Sequence, residues 1–254
     1  MAKPINKAVA KIKRSKPTYT TQDIRSVSQY VELIEGTEYL TLFRGQGSDL
    51  PLRPKIGRLT LREGDIKSNE ENLLSQFKSQ ALPFLARIPA NEWEWLAVAQ
   101  HHNLPTRLLD WTSNPLIALW FAVERPAENC KPGVVWCFKT ENDDFAKTEE
   151  NPFALSKTKI FRPPNLVDRI RAQLGYFTCH KLLDHDKFVH FERNASYTGR
   201  LKKLIIPYDC FSSIRYHLDY LGINRAFVYS DLDGLAVHLG WLHSRLDDES
   251  VPPK

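Results

Sequence analysis

No apolar run in this sequence approaches the roughly 18 to 20 residues that a membrane-crossing helix needs, so no membrane association is expected. Met1 to Lys16 lacks the apolar core of a secretory signal, which points to a cytoplasmic protein. Cysteine is scarce. Cys130, Cys137, Cys179 and Cys210 are too few and too scattered for a disulfide scaffold, and none forms a C-x-x-C pair. A reducing compartment is the simplest setting. The sequence holds no P-loop, no G-x-S-x-G and no G-x-G-x-x-G, which removes the usual motifs for nucleotide and hydrolase chemistry. His180, His185 and His190 are five apart, a spacing that fits neither a helical face nor a zinc site, and no metal is expected. There is no internal repeat and no low-complexity block.

What is present is enough for one large domain. The chain has 254 residues, of which 42% are apolar, 11% aromatic and 26% charged, so a substantial core can form. The formal charge of +5 is unevenly spread: Lys3, Lys7, Lys11, Lys13, Arg14 and Lys16 meet no acid in the first 16 residues. Residues 1–20 therefore read as a flexible basic arm, simply solvated, laid on a polyanion, RNA above all, or serving as a cleaved organelle-targeting peptide. Residues 21–246 read as a single domain, with 64–99 as a helical insertion, and 247–254 as a flexible tail.

Thr21 is positioned to cap a helix running to about Glu35, with Val27, Tyr30, Val31 and Ile34 at the 3 and 4 spacing of one buried face. Glu38 to Phe43 reads as a strand ending in Arg44-Gly45, followed by a polar loop from Gln46 to Arg62. Helices are expected at Asn69 to Ala86, with Leu73, Leu74, Phe77 and Leu82 inward, and from Asn91 to Gln100. Leu108 to Trp111 reads as a strand. Thr112-Ser113-Asn114-Pro115 then opens a helix by a hydroxyl or amide cap with proline in the first turn. That helix, Leu116 to Glu124, is apolar almost all round and so expected to be buried. Further strands are expected at Gly133 to Phe138, Gly175 to Thr178 and Leu201 to Ile206, and closing helices at Cys210 to Leu221 and Asp233 to Leu246.

Four segments could carry chemistry. Arg44 stands at a strand end beside Gly45, where a ligand or a backbone can approach closely. Its guanidinium could grip a phosphate, a carboxylate or a ribose, or lie against a core carboxylate. The run from Gln100 to Ser113 holds His101, Thr106, Arg107, Asp110, Thr112 and Ser113. A strand ending in hydroxyls at a helix start suits an anionic or nucleotide ligand. The same residues could serve structure alone, with Ser113 or Asn114 as a cap and Asp110 paired to Arg107. Arg169 to Phe177 places Gln173 before a Gly-aromatic strand, where it could orient a sugar or an amide, or simply lie on the surface. Asp231 and Asp233 flank the turn into the last helix and read as caps; their spacing is too short for a calcium loop.

Together these pieces resemble the FRG domain family. The resemblance rests on Phe43-Arg44-Gly45-Gln46, on Leu52 to Arg58, on Gln100 to Thr112, on Asn114 to Ala122, on Arg169 to Phe177 and on Asp231 to Ala236, and covers about Glu38 to Trp241. Asn103 stands where glycine is more usual, and asparagine still tolerates a left-handed turn. The order of motifs is also similar to that of ADP-ribosyltransferases: Arg44, then Thr112-Ser113 with Ala118 to Ala122, then Gln173. This resemblance implies an α+β fold with a small bent mixed sheet, flanking helices and NAD as substrate. Arg44, Thr112, Ser113 and Gln173 would be catalytic, and Arg44, Gly45, His101, Thr106, Arg107, Asp110, Thr112 and Ser113 would hold the NAD. The acceptor would be RNA, DNA or protein. A toxin or phage-defence effector with an antitoxin or chaperone partner would fit such an activity. Gln173 cannot act as a base, which shifts that role to Asp110, His101 or the acceptor. A non-catalytic module that binds a nucleotide or nucleic acid fits the same residues, as does a nuclease or NAD hydrolase.

Overall fold

The computed structural model describes residues 19–37, 40–164, 171–184 and 186–249. The start of the basic arm, Glu38 and Tyr39 of the first expected strand, Arg169 and Ile170 of the third segment, His185 and the last five residues lie outside the described residues.

A mixed sheet of seven strands organises the chain, in the order β1-β9-β4-β2-β3-β6-β5. Its strands are β1 (Thr20–Asp23), β2 (Thr41–Gln46), β3 (Leu108–Thr112), β4 (Gly133–Lys139), β5 (Lys159–Phe161), β6 (Gly175–Cys179) and β9 (Leu201–Ile206). Only the edge pair β1 and β9 is parallel among the described ladders. A separate two-residue hairpin joins β7 (Leu182–Leu183) to β8 (Lys187–Phe188). The α+β expectation is met, although the sheet is larger than the small one expected.

The two faces of β2 show how the sequence places the layers. Alternate side chains go to opposite sides. Phe43 joins a core under α1 (Val27–Ile34), α4 (Pro115–Val123) and α5 (Phe211–Tyr220), while Leu42 joins Trp111, Trp136 and Phe138 in the core behind the sheet. Arg44 stands on the side of Leu42 and Gln46 by the same alternation. Helix α4 lies very close to the sheet. A Cβ on Gly45 would stand 1.8 Å from the Ala118 carbonyl oxygen, and one on Gly133 would stand 2.5 Å from that of Ala122. Two glycines on neighbouring strands thus receive one small-residue face of the helix. A third core joins α2 (Ile66–Ala81) and α3 (Glu92–His101) to Leu108, Phe177 and Cys179, so both helices cover the β3–β6 side.

Several local expectations hold for stated reasons. Asn91 caps α3 by accepting from the Glu94 N–H, and Asn114, rather than Ser113, caps α4 by accepting from Leu116 and Ile117. Asn103 has φ 63° and ends α3: its N–H reaches Gln100 O, and Leu104 N–H reaches Ala99 O. This is a Schellman ending with asparagine in the place of glycine. Asp231 caps α7 (Leu232–Leu242) through the Gly234 N–H.

Others are corrected. Thr21 caps nothing: it lies in β1 opposite Lys203, and Ser26 caps α1. Helix α2 starts three residues earlier than expected, behind the Asp65 cap, and gives way to a 3-10 turn at Leu82-Pro83-Phe84. Leu82 is consequently 49% exposed rather than inward. The closing helices are three, because α6 (Arg225–Tyr229) stands between α5 and α7.

Candidate functional site

Strands β2 and β3 share a single partner pair, Phe43 with Thr112. Beyond it Arg44 to Gln46 stay with β4, while Leu108 to Trp111 stay with β6. The sheet is therefore split, and the split exposes backbone carbonyls that a normal ladder would pair. Arg44 answers this locally: its Nη1 donates to the Asp110 backbone oxygen at 2.6 Å and lies 3.5 Å from Oδ2 of the same residue.

A cavity of about 260 Å³ opens at this split. Arg44 and Gly45 of β2, Asp110 and Thr112 of β3, Gln100 and His101 at the end of α3, and Gln173 and Tyr176 near β6 all line it. Arg44 is not locked in the core: its side chain is 17% exposed and its Nε has no partner. The Asp110 side chain is 57% exposed at the mouth. Burial lowers the Arg44 pKa; the Asp110 carboxylate opposes that shift, and the Arg58 guanidinium adds to it. The Arg58 charge thus acts on the Arg44 guanidinium, and an anion beside Arg44 would be attracted. Arg58 belongs to the Leu52 to Arg58 motif but has no role assignable from sequence, because its approach to Arg44 depends on the loop's return to the sheet.

A chain of hydrogen bonds fixes Asp110 from behind. The Leu108 N–H donates to Thr106 Oγ1 at 3.1 Å, and Thr106 donates to Gln100 Oε1 at 2.6 Å. Gln100 Nε2 then donates to Asp110 Oδ2 at 3.0 Å. Each donor and acceptor has one role in this chain, so the Gln100 amide has one orientation. Both the Gln100 and the Arg44 contacts fall on Oδ2, which leaves Oδ1 for a ligand group.

The structure does not bring every sequence candidate to the cavity. Thr106 is buried and serves the relay just described. Arg107 is 2% exposed and held away from the cavity by Glu70, which meets its Nε, its Nη2 and its backbone N–H. Arg107 and Asp110 do not pair: Asp110 faces Arg44 instead. Ser113 is outside the lining and its N–H donates to Leu174 O. The Thr112 hydroxyl is committed, donating to Gln173 O at 2.6 Å and accepting from the Asn114 N–H. Gln173 does reach the lining, with Nε2 donating to Val228 O at 3.2 Å.

Behind the split, His180 is buried against two cations. Burial, with help from Arg44 and Arg107, lowers its pKa to about 3. Trp111 Nε1 donates to Thr178 Oγ1, which leaves the threonine proton for His180 Nε2 at 3.0 Å. This imidazole is a neutral acceptor within the fold. Among the described residues no three His, Cys, Asp or Glu side chains gather as metal ligands, and no helix is long and apolar enough to cross a membrane.

Fold and site together define an α+β protein with a split mixed sheet and a polar, arginine-lined cleft. The FRG domain family model matches residues 40–131, from just before β2 to just after α4, a little over a third of the chain. The match includes Arg44, Gly45, Gln100, Asp110 and the α4 cap and stops short of Gln173. No curated protein and no solved structure matches the chain.

Proposed function

We propose that the cleft binds NAD as a substrate and that the protein transfers its ADP-ribose to a nucleic-acid or protein acceptor. The observation that carries this reading is the convergence of Arg44, Asp110 and Gln173 on one cavity at the split between β2 and β3. The cavity falls just below the range of about 300–1,000 Å³ usual for ligand pockets. It suits one end of a dinucleotide, with the pyrophosphate held by Arg44. In the reaction the bond between the ribose C1′ and the nicotinamide nitrogen breaks, and its electron pair leaves with nicotinamide. The acceptor atom forms the new bond to C1′ and loses its proton. Asp110 is the carboxylate positioned for two tasks: facing the developing positive charge on the ribose and taking that proton. Gln173 orients a ribose hydroxyl or the nicotinamide amide. An activity of this kind, aimed at cellular RNA or protein, would suit a toxin or phage-defence effector held in check by a partner protein.

A non-catalytic nucleotide-binding module is the second reading, favoured by the amide of Gln173, which cannot act as a base. Calorimetric titration with NAD, together with chromatography for released nicotinamide, separates the two. Heat of binding with nicotinamide release supports the transferase. Binding without release supports the module. No binding of NAD at millimolar concentration overturns both for this substrate.

A further inference from the structure

Helix α7 carries most of its apolar side chains on a face turned to solvent. Of its eleven residues only Gly234 is buried, and only Asp233 is a carboxylate or a basic side chain other than histidine. Gly234, His238 and Trp241, spaced four and three apart, form the side toward the body. A Cβ on Gly234 would stand 2.8 Å from that of Tyr229, and His238 Nε2 lies 3.6 Å from Asp219 Oδ1. The Trp241 indole packs on Tyr216 and donates to Glu249. Leu232, Leu235, Leu239 and Leu242 lie outside that line and are 82%, 43%, 48% and 52% exposed. Single exposed leucines are ordinary on a protein surface, but an unbroken row of four along one helix marks a contact.

The spacing of these leucines says what the contact is. Steps of three, four and three make the a/d seam of a coiled coil. The row is also symmetric about residue 237. In an antiparallel pair with a two-fold axis through that point, Leu232 meets Leu242 of the partner copy and Leu235 meets its Leu239. A two-fold contact requires this, because one patch must complement itself. Ala236 and Gly240 border the row, and a Cβ on Gly240 would find nothing within 4 Å, so a second helix can come close. The exposed residues at the two ends differ in charge: Asp231 and Asp233 at the start, His243 and Arg245 just past the end. Antiparallel pairing sets the acidic start of each helix against the basic end of the other and opposes the macrodipoles. The chain then turns back on the Trp241 side of the helix, where Glu249 accepts from the indole. The row exposes on the order of 400 Å² per copy, enough for a reversible contact and less than a permanent dimer buries.

We propose that the leucine row of α7 is the contact of a reversible homodimer in which two copies of this chain pair these helices antiparallel. None of the four leucines lines the Arg44 cavity, so the contact leaves that cavity open and does not depend on NAD binding there. The contact is apolar at its centre and charged only at its ends, so salt changes its affinity little.

The test is sedimentation velocity of the full chain from about 1 to 200 µM, the span in which a contact of this size associates. The mean mass of wild type is expected to rise from one chain toward two. Leu235→Glu with Leu239→Glu should weaken association at least about tenfold, since four carboxylates would meet at the seam. Leu232→Gln is a milder change at the most exposed of the four and should act in the same direction. Phe84→Gln, at an apolar position 87% exposed on another element, should associate as wild type does. Thermal melting confirms that each variant is folded. In a chain carrying Cys130→Ser, Ala236→Cys lies near the two-fold axis and should cross-link under mild oxidation, whereas Leu232→Cys at the helix end should not. The proposal is overturned if wild type stays a monomer at every concentration, whether or not it floats with phosphatidylcholine vesicles. It is equally overturned if the folded leucine variants associate as wild type does, or if Phe84→Gln abolishes association. Cross-linking of Leu232→Cys as readily as Ala236→Cys would overturn the antiparallel pairing.

Discussion

The Ala118 carbonyl oxygen lies where a Cβ of residue 45 would have to be, 1.8 Å from the ideal position. Gly45 is therefore a packing glycine first: it lets α4 sit directly on β2, one residue from Arg44. Gly45→Ala must push the helix off the strand or bend the strand, since the blocking atom is backbone. Overpacking of this kind costs about 3 kcal/mol. Chemical denaturation should show that loss, and Gly47→Ala, with nothing within 4 Å of its Cβ position, should not.

Arg107 and Glu70 form a buried pair, each side chain 2% exposed. Glu70→Gln leaves a guanidinium in the core with its counter-charge gone, and the expected loss is about 3–5 kcal/mol. Replacing both, Glu70→Leu with Arg107→Met, should restore part of that stability. The recovery is incomplete because Glu70 Oε1 also accepts the Arg107 backbone N–H, which the apolar pair leaves unsatisfied. A double-mutant cycle in urea measures both terms, and a Glu70→Gln protein as stable as wild type would contradict the assignment.

The same pair shows where sequence reading stops. Arg107 stands just before β3 and turns to Glu70, while Asp110 inside β3 turns to Arg44, so the two do not meet. Glu70 is 37 positions from Arg107, on a helix of another layer, and nothing local marks it as the partner. Local chemistry was legible: the Asn91 and Asn114 caps, the left-handed Asn103 and the strands β3, β4, β6 and β9 all follow from neighbouring residues. Strand β1 was not, because its four residues are all exposed and carry no alternation. The three-residue β5 and the two-residue β7 and β8 are too short to show any period. The cavity was half legible. Arg44, Asp110 and Gln173 belong to motifs that could be picked out, whereas the splay of β2 from β3 that opens the space between them is a tertiary fact.

His180 gives the fold a dependence on acid. Its folded pKa is lowered to about 3 by burial and by the charges of Arg44 and Arg107, against about 6.5 in the unfolded chain. Above pH 6.5 the imidazole is neutral in both states and its contribution is fully present. As pH falls below 6.5 the unfolded chain takes up a proton that the native state refuses, so stability is lost at up to about 1.4 kcal/mol per pH unit down to pH 3. His180→Gln keeps an acceptor for Thr178 and removes the titration. Denaturation free energies between pH 7 and pH 4.5 should fall less steeply in the variant. Equal slopes would show that the histidine is protonated in the fold.

Gln100 has no direct part in any bond that a ligand would make or break, yet it holds the carboxylate that would. Its Oε1 is fixed by Thr106, so its Nε2 has one direction in which to donate, toward Asp110 Oδ2. A hydrogen bond to a charged group contributes about 1.5–3 kcal/mol. Gln100→Leu removes it and lets the exposed Asp110 side chain swing, which should weaken NAD binding or slow nicotinamide release by about 10- to 100-fold. Gln100→Glu keeps the length but repels Asp110, and should do more harm than leucine. Asp110→Asn separates the two roles of that residue: it keeps an oxygen that can face Arg44 while removing the charge and the base. If the reaction needs the base, nicotinamide release falls much further than NAD affinity; if the cleft only binds, affinity is the sole quantity that changes. Asp110→Asn with release and affinity both at wild-type levels would remove this carboxylate from the chemistry and leave Arg44 to act without it.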